Sequence, residues 1–177
     1  RIKVIRLGIR EDLRPYNLTH LKLKIGYLGQ LDRRKRVGVL IRAFMRSDMD
    51  AELLIAGTGA EGFYLKALAK EDKRIKFLGF IRDDELAEFY NSLDIFIFPT
   101  WIEGYGLPIV EAMACRKPVI VLKDSIIPWE VKSRCFITDN LDILLGNRTY
   151  LESTVKYLDI DSNYNFAKEH SWKTCTQ

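Results

Sequence analysis

The feature of this sequence that most restricts its fold is an alternation of short apolar runs with segments of helical periodicity. Six runs rich in β-branched and aromatic residues stand at Leu23–Leu28, Leu53–Ala56, Ile75–Leu78, Ile95–Phe98, Val119–Leu122 and Cys135–Ile137. Between them apolar residues recur at helical spacing, as at Val37, Leu40, Ile41 and Phe44. Near-continuous apolar strands are buried on both faces, which predicts a parallel sheet covered by helices. Right-handed crossovers then give an α/β, doubly wound, Rossmann-like parallel sheet of about six strands.

The domain organisation follows from length and continuity. The chain has 177 residues, one domain's worth, and shows neither an internal repeat nor a flexible linker. We therefore expect one domain over residues 1–177, with residues 1–20 as a linker-like lead-in and residues 141–177 as a helical tail. Because the chain opens with Arg1 and not with Met, we expect it to be a piece of a longer protein.

Charge, hydropathy and cysteine content exclude several function classes. The 28 Lys and Arg residues against 24 Asp and Glu give a formal charge of +4, too mild to indicate a nucleic-acid partner. No apolar run approaches the roughly 20 residues that span a bilayer, so we expect no transmembrane segment. Three widely spaced cysteines without a CxxC motif argue against a disulfide framework and favour a cytoplasmic location.

The loops that follow the strands are where such a sheet binds its ligands. After the first strand, four consecutive cations occupy positions 33–36 at the turn into a helix. Positive charge and helical N–H groups at one turn favour phosphate, although a solvated basic turn is the alternative. After the second strand, residues 57–62 read G-x-G-x-x-G, which indicates a dinucleotide site. An NAD-dependent dehydrogenase is therefore an alternative. However, the next strand does not end in an acidic residue that could bind the ribose of NAD.

Metal binding is not indicated. Asp48 and Asp50 have the D-x-D spacing of some metal-dependent sugar transferases, but they precede a strand and so lie at the wrong edge of the sheet. No group of His, Cys and acidic residues has the spacing of metal ligands.

The loop after the fourth predicted strand is the most informative. A helix begins near Leu107, with Pro108 suited to its first turn, and glycines expose N–H groups at its positive end. Two carboxylates, Glu103 and Glu111, flank this anion site. Because carboxylates repel phosphate, we expect them to accept hydrogen bonds from hydroxyls, as in a nucleotide-sugar site. The alternatives are a solvent-facing loop acid at 103 and a dipole-stabilising acid at 111.

Residues Glu103–Ala114 closely resemble the signature of family 4 of the retaining glycosyltransferases, in which two glutamates stand eight positions apart around a Gly-aromatic-Gly-Leu turn. Such enzymes have the GT-B fold, two Rossmann-like domains that face each other across a cleft. The resemblance covers roughly residues 23–132 and extends weakly to Val4–Arg14 and to Ser171 and Trp172. It implies that this chain is the C-terminal, donor-binding half of a GT-B fold.

The resemblance also implies roles for individual residues. Glu103 would be the catalytic residue that contacts the donor sugar, and Glu111 would accept hydrogen bonds from the ribose hydroxyls. Lys35 corresponds to the family's phosphate-binding lysine. The remaining donor-binding positions are Gln30, Arg36, Gly57, Gly59, Phe80, Ile81, Gly104, Tyr105, Gly106 and Leu107.

Gln30 stands where the family has arginine, so Arg33, Arg34 or Arg36 would have to supply that charge or the diphosphate is held more weakly. Arg36 itself stands where the family usually has glycine.

The implied function is transfer of a hexose from a nucleoside-diphosphate sugar, without a cofactor or metal. The acceptor, a saccharide or a lipid-linked one, would bind an N-terminal domain absent from this chain, and the full-length enzyme could associate with a membrane. By itself this polypeptide should bind nucleotide but not turn over. The alternatives are a non-catalytic nucleotide- or partner-binding module and another enzyme of GT-B type, such as a nucleotide-sugar epimerase.

Overall fold

A computed structural model describes residues 8–171 of the chain. Among these residues the strands are β1 (Leu23–Leu28), β2 (Ala51–Ala56), β3 (Ile75–Gly79), β4 (Ile95–Phe98), β5 (Val119–Leu122) and β6 (Phe136–Thr138). The α-helices are α1 (Val37–Met45), α2 (Gly62–Leu68), α3 (Leu86–Asn91), α4 (Leu107–Ala114), α5 (Trp129–Lys132), α6 (Leu141–Leu145), α7 (Arg148–Lys156) and α8 (Ile160–Glu169).

The six strands form one sheet in the order β3-β2-β1-β4-β5-β6, and every pairing is parallel. The predicted doubly wound, Rossmann-like fold is therefore confirmed. The strand order reverses between β1 and β4, which is the switch point where such sheets bind ligands beyond the carboxyl ends of their strands.

The core lies where the sequence is most continuously apolar. All residues of β4 and β5 are buried, as expected for central strands with helices on both faces. In α1 the four residues predicted to share a face are all fully buried, at Val37, Leu40, Ile41 and Phe44. The sheet thus gives the strand-end loops a rigid base.

Strand boundaries differ from the sequence prediction by a residue or two. The helix after β3 begins as a 3₁₀ turn over Asp83–Glu85 and becomes α-helical only at Leu86. The Glu85 side chain accepts a hydrogen bond from the backbone N–H of Arg82 at 3.0 Å, which fixes this turn ahead of the helix.

Both terminal segments pack on the sheet domain within the described residues. The Ile9 N–H donates to the His170 carbonyl at 2.8 Å, so the lead-in meets the end of α8. The Asn91 amide donates to the Arg14 carbonyl at 3.0 Å and its oxygen accepts from the Tyr16 N–H at 2.9 Å. Within residues 141–171 the chain forms the helices α6, α7 and α8. Residues 1–7 and 172–177, which include Trp172 and Cys175, lie outside the described part.

Candidate functional site

The loops that follow β1, β2 and β3 are joined into one surface by backbone hydrogen bonds. The Leu31 N–H donates to the Thr58 carbonyl at 2.8 Å, and the Gly57 N–H donates to the Gly79 carbonyl at 2.6 Å. At Gly57, where φ is +119°, a Cβ would lie 1.9 Å from the Gly29 carbonyl oxygen. Glycine is thus required at this position because two loops approach each other closely, whether or not a ligand is bound.

A cavity of about 530 Å³ lies between this surface and the start of α4. Seven of the residues singled out from the sequence line it: Gln30, Gly57, Gly59, Phe80, Ile81, Leu107 and Glu111. Sequence reasoning did not select the other lining residues, which are Leu28, Gly29, Thr58, Asp83, Leu86 and Pro108. The cavity therefore brings together residues from four strand-end segments at the topological switch point.

The turn into α4 contains a glycine with positive φ. Gly106 precedes the helix with φ 86° and ψ 46°, in the left-handed region that favours glycine. The first N–H groups of a helix have no acceptor within it, and Leu107 is the first residue of α4. Because Leu107 and Pro108 line the cavity, the positive end of α4 lies at its wall.

Glu111 lies in the lining of the cavity, and a hydrogen bond from a core residue holds its side chain. Its Oε2 accepts a hydrogen bond of 2.7 Å from the hydroxyl of Tyr90, a fully buried side chain of α3. Burial raises the pKa of Glu111, and the hydrogen bond from Tyr90 opposes that rise. Asp83 adds a further increase and Arg10 a decrease. The carboxylate is thus a positioned acceptor at the wall of the cavity.

Lys35 and Glu103 form an ion pair, and neither residue lines the cavity. Their side chains are only 15% and 13% exposed. Glu103 also accepts a hydrogen bond of 2.8 Å from the hydroxyl of Thr100, and the Lys35 ammonium lies 5.3 Å from the centre of the Phe98 ring. The two residues assigned to phosphate and to sugar therefore bind each other in the free protein.

Two other cations of the basic turn, Arg34 and Arg36, have partners in the fold. Arg36 donates to the Pro99 carbonyl at 2.9 Å and pairs with Asp124 at 2.6 Å, so the structure does not bring it to the cavity. Arg34 pairs with Asp32 at 2.9 Å. Arg36 also has φ 52° and ψ 31°, a left-handed conformation at the position where the family prefers glycine.

Tyr105 and Gly104 occupy the same turn as Glu103 but contribute differently. The Tyr105 ring faces the tail, with its centre 6.0 Å from that of the His170 ring. Gly104 is exposed, and a Cβ there would contact nothing within 4 Å. Their contribution to a ligand site would accordingly come from the backbone of the turn.

Sequence reasoning missed three residues that support the site. Tyr90 holds Glu111, Thr100 holds Glu103, and the Tyr27 hydroxyl donates to the Gln30 carbonyl at 3.0 Å. Both tyrosines are fully buried and read as core residues in the sequence, so only their terminal hydroxyls could have indicated a second role.

The rejected D-x-D pair lies at the opposite edge of the sheet, before β2, and Asp50 pairs there with Lys22 at 2.8 Å. Across residues 8–171, no three His, Cys, Asp or Glu side chains are grouped so that they could hold a metal ion. None of the helices in that range combines the length and apolar character needed to cross a bilayer.

Residues 9–136 match the protein family described as glycosyl transferases group 1. The chain is 29% identical over 162 residues to O-antigen chain mannosyltransferase B of Escherichia coli, covering 85% of this chain and 42% of that protein. The chain thus spans less than half the length of this relative.

Solved structures share the fold. HepE of Anabaena, crystallised with UDP and glucose, superposes with a TM-score of 0.76 at 24% identity, over 99% of this chain and 55% of that one. The C-terminal domain of LpcC, a glycosyl transferase group 1 family protein of Francisella tularensis, gives a TM-score of 0.70 at 24% identity, over 91% of this chain and 97% of that one. The fold therefore matches GT-B glycosyltransferase structures. With most of its length inside the family match, this chain belongs to the glycosyl transferases group 1 family.

Proposed function

We propose that this chain is the C-terminal, donor-binding domain of a family 4 retaining glycosyltransferase that moves a hexose from a nucleoside-diphosphate sugar to an acceptor. The observation that carries the proposal is the segment after β4, where Glu103, the start of α4 and Glu111 follow one another beside a cavity at the switch point. In this proposal residues 1–177 are one nucleotide-sugar-binding domain, with residues 1–20 leading in and residues 141–177 as its tail.

The nucleoside would occupy the cavity of about 530 Å³. Phe80 is 71% exposed at its rim, so its ring is accessible to a base without any rearrangement of the core. Glu111 lines the same cavity as the loops that follow β1 and β2, and it would accept hydrogen bonds from the ribose hydroxyls. Gly57 and Gly59 would form the wall through their backbone.

The diphosphate would lie at the start of α4. The N–H groups of the Gly106–Leu107 turn and the helix dipole favour an anion there, and Lys35 would supply a full positive charge. As the bond from the sugar to phosphate breaks, negative charge grows on the departing diphosphate, and these groups stabilise it without a metal. Gln30 would contribute a hydrogen bond but no charge, and we assign Arg36 a structural role because Asp124 and the loop carbonyls bind it.

Glu103 would contact the hydroxyls of the donor sugar once Lys35 has moved to the phosphate. This exchange couples the two halves of the donor: the diphosphate takes the ammonium, and the freed carboxylate then faces the sugar. The acceptor, a saccharide or a lipid-linked saccharide, would bind to an N-terminal domain. We place the full-length enzyme in the cytoplasm, with access to a membrane surface when its acceptor is lipid-linked.

The test is ligand-induced stabilisation of the purified chain. At about one hundred times the dissociation constant, a ligand should add about 2.7 kcal/mol of stability. We expect UDP, GDP or ADP, alone or as sugar conjugates, to raise the melting temperature, and NAD to leave it unchanged. Lys35→Ala and Glu111→Ala should each reduce the response. Glu52→Gln is the control, because Glu52 pairs with Lys76 on the opposite edge of the sheet.

A non-catalytic nucleotide- or partner-binding module is the second candidate. The observation that favours it is the chemistry at two phosphate positions, since Gln30 is uncharged and Lys35 is already paired with Glu103. If none of these nucleotides raises the melting temperature, a partner-binding module is favoured. Stabilisation by NAD alone would favour the dehydrogenase alternative.

A further inference from the structure

Tyr90 is a polar group at full burial whose role goes beyond packing. Its ring lies edge-on to two other aromatic rings, with centres 5.4 Å from Phe89 and 5.5 Å from Phe96. Within this apolar surrounding the hydroxyl donates to Glu111 Oε2 at 2.7 Å. Burial raises the pKa of Tyr90 well above its ordinary value, so the phenol keeps its proton and remains a donor throughout the physiological range.

This contact leaves the two oxygens of Glu111 in different situations. Oε2 faces the core and is bound by the phenol, whereas nothing in residues 8–171 donates a hydrogen bond to Oε1. Glu111 belongs to the wall of the cavity. A carboxylate fixed through one oxygen presents the other in a defined direction, which a freely rotating side chain does not.

We propose that Tyr90 is a positioning residue, which holds one oxygen of Glu111 so that the other accepts hydrogen bonds from the vicinal hydroxyls of a ribose in the cavity. This inference rests on the proposed nucleotide-sugar function and adds a residue that the family signature does not contain. Tyr90 does not itself contact the ligand in this arrangement. Instead it sets the direction and the ionisation of Glu111, which contacts the ligand.

The surroundings of Glu111 explain why ionisation needs such support. Burial raises its pKa, and Asp83, in the 3₁₀ turn before α3, raises it further. The hydrogen bond from Tyr90 lowers the pKa of Glu111, and so does Arg10, which lies in the lead-in. The nearby Cys115 thiol remains neutral because burial raises its pKa to about 12. Without the phenol the carboxyl would therefore gain a proton at a higher pH. A protonated carboxyl is a weaker acceptor for ribose hydroxyls.

The experiment compares UDP with 2′,3′-dideoxyUDP by titration calorimetry. Hydrogen bonds to a charged acceptor predict that the wild-type chain prefers UDP by about a hundredfold. In Tyr90→Phe we expect this preference to shrink by about tenfold, while the affinity for dideoxyUDP is unchanged. Acidification should abolish the wild-type preference as the pH falls through the raised pKa of Glu111. In Tyr90→Phe the same loss should occur at a higher pH.

Tyr27→Phe is the matched control. Tyr27 is equally buried, but its hydroxyl binds the Gln30 carbonyl and not Glu111. Any change of affinity in this variant should therefore be the same for both nucleotides, so that the wild-type preference and its pH profile are kept. A purely structural role for Tyr90 would weaken both nucleotides equally and leave the pH profile in place, which would overturn the inference but not the proposed function. Failure of UDP, GDP and ADP to bind the wild-type chain would overturn both.

A second variant covers the case in which Tyr90→Phe does not fold, as judged by its melting curve. In Glu111→Gln the phenol would hold the amide oxygen and turn the NH₂ group towards the cavity. We then expect the preference for UDP to be small and independent of pH. A wild-type preference in Glu111→Gln would contradict the positioning role.

Discussion

Replacing Glu103 with glutamine should make the chain bind UDP more tightly, although Glu103 belongs to the proposed donor site. In the free protein Lys35 is bound to Glu103, and both side chains are largely buried. A diphosphate can use the ammonium only by drawing it away from this partner. Glu103→Gln removes the competing negative charge and also the repulsion between that charge and the incoming phosphate.

The size of the effect follows from the geometry of the pair. Two unit charges about 4 Å apart attract each other by about 4 kcal/mol at an effective dielectric constant of about 20. Glutamine keeps a hydrogen-bond acceptor for Lys35 and for the Thr100 hydroxyl, so only part of this energy is lost. If about a third of it now favours the ligand, UDP binds about tenfold more tightly. The free variant should also melt at a lower temperature, because a largely buried ammonium has lost its counter-ion.

Titration calorimetry with UDP and with a UDP-sugar measures both consequences. The gain should be large for UDP and smaller for the UDP-sugar, because glutamine lacks the charge that would bind the sugar hydroxyls. Glu52→Gln provides the matched control, since it makes the same change of charge and breaks a Lys–Glu pair away from the site. Weaker UDP binding by Glu103→Gln would show that Glu103 does not compete with phosphate for Lys35, and it would refute the exchange.

Three further predictions concern the loops and the cavity. Arg116 has φ 57°, so Arg116→Gly should be more stable than Arg116→Ala by about 1 kcal/mol in urea unfolding, although both lose the same guanidinium. Gly57→Ala should cost more than about 2 kcal/mol because its Cβ would lie 1.9 Å from a backbone oxygen of the next loop, whereas Gly104→Ala should leave the melting temperature unchanged. Phe80→Ala should weaken UDP binding by about tenfold at unchanged stability, because Phe80 is 71% exposed at the cavity. Phe63→Ala, on the exposed face of α2, should not affect UDP binding.

The sheet could be predicted from the sequence because its strands are short, apolar and separated by helical periodicity. β4 and β5 were predicted with their observed bounds, since every residue in them is buried and apolar. Periodicity could not show the 3₁₀ turn at Asp83–Glu85, because a side-chain hydrogen bond to a backbone N–H determines it. The sequence also could not predict the hydrogen bonds between successive strand-end loops, because these bonds join residues that are distant in sequence.

The same distinction separates the predicted and the missed parts of the candidate site. Glu103 and Glu111 could be found because a turn and a helix start place them locally, within one continuous motif. The pairing of Lys35 with Glu103 joins residues 68 positions apart, and no charge pattern in either segment indicates it. Arg36 looked like a phosphate ligand in a basic run, but the fold places its guanidinium against Asp124 and two loop carbonyls.

A row of four aromatic side chains connects the two halves of the site. The Tyr27 and Phe98 rings are stacked with centres 5.8 Å apart, Phe98 and Phe96 likewise at 5.8 Å, and Tyr90 meets Phe96 edge-on at 5.5 Å. The Lys35 ammonium lies over Phe98, the second ring of this row, and at the far end of the row the Tyr90 hydroxyl binds Glu111. Because core rings move little at native packing density, the packing of these rings helps to set the spacing between Lys35 and Glu111 in the free protein. Replacing a ring of this row with a smaller side chain should therefore weaken the binding of both the phosphate and the ribose of a nucleotide, although no ring in the row contacts the ligand.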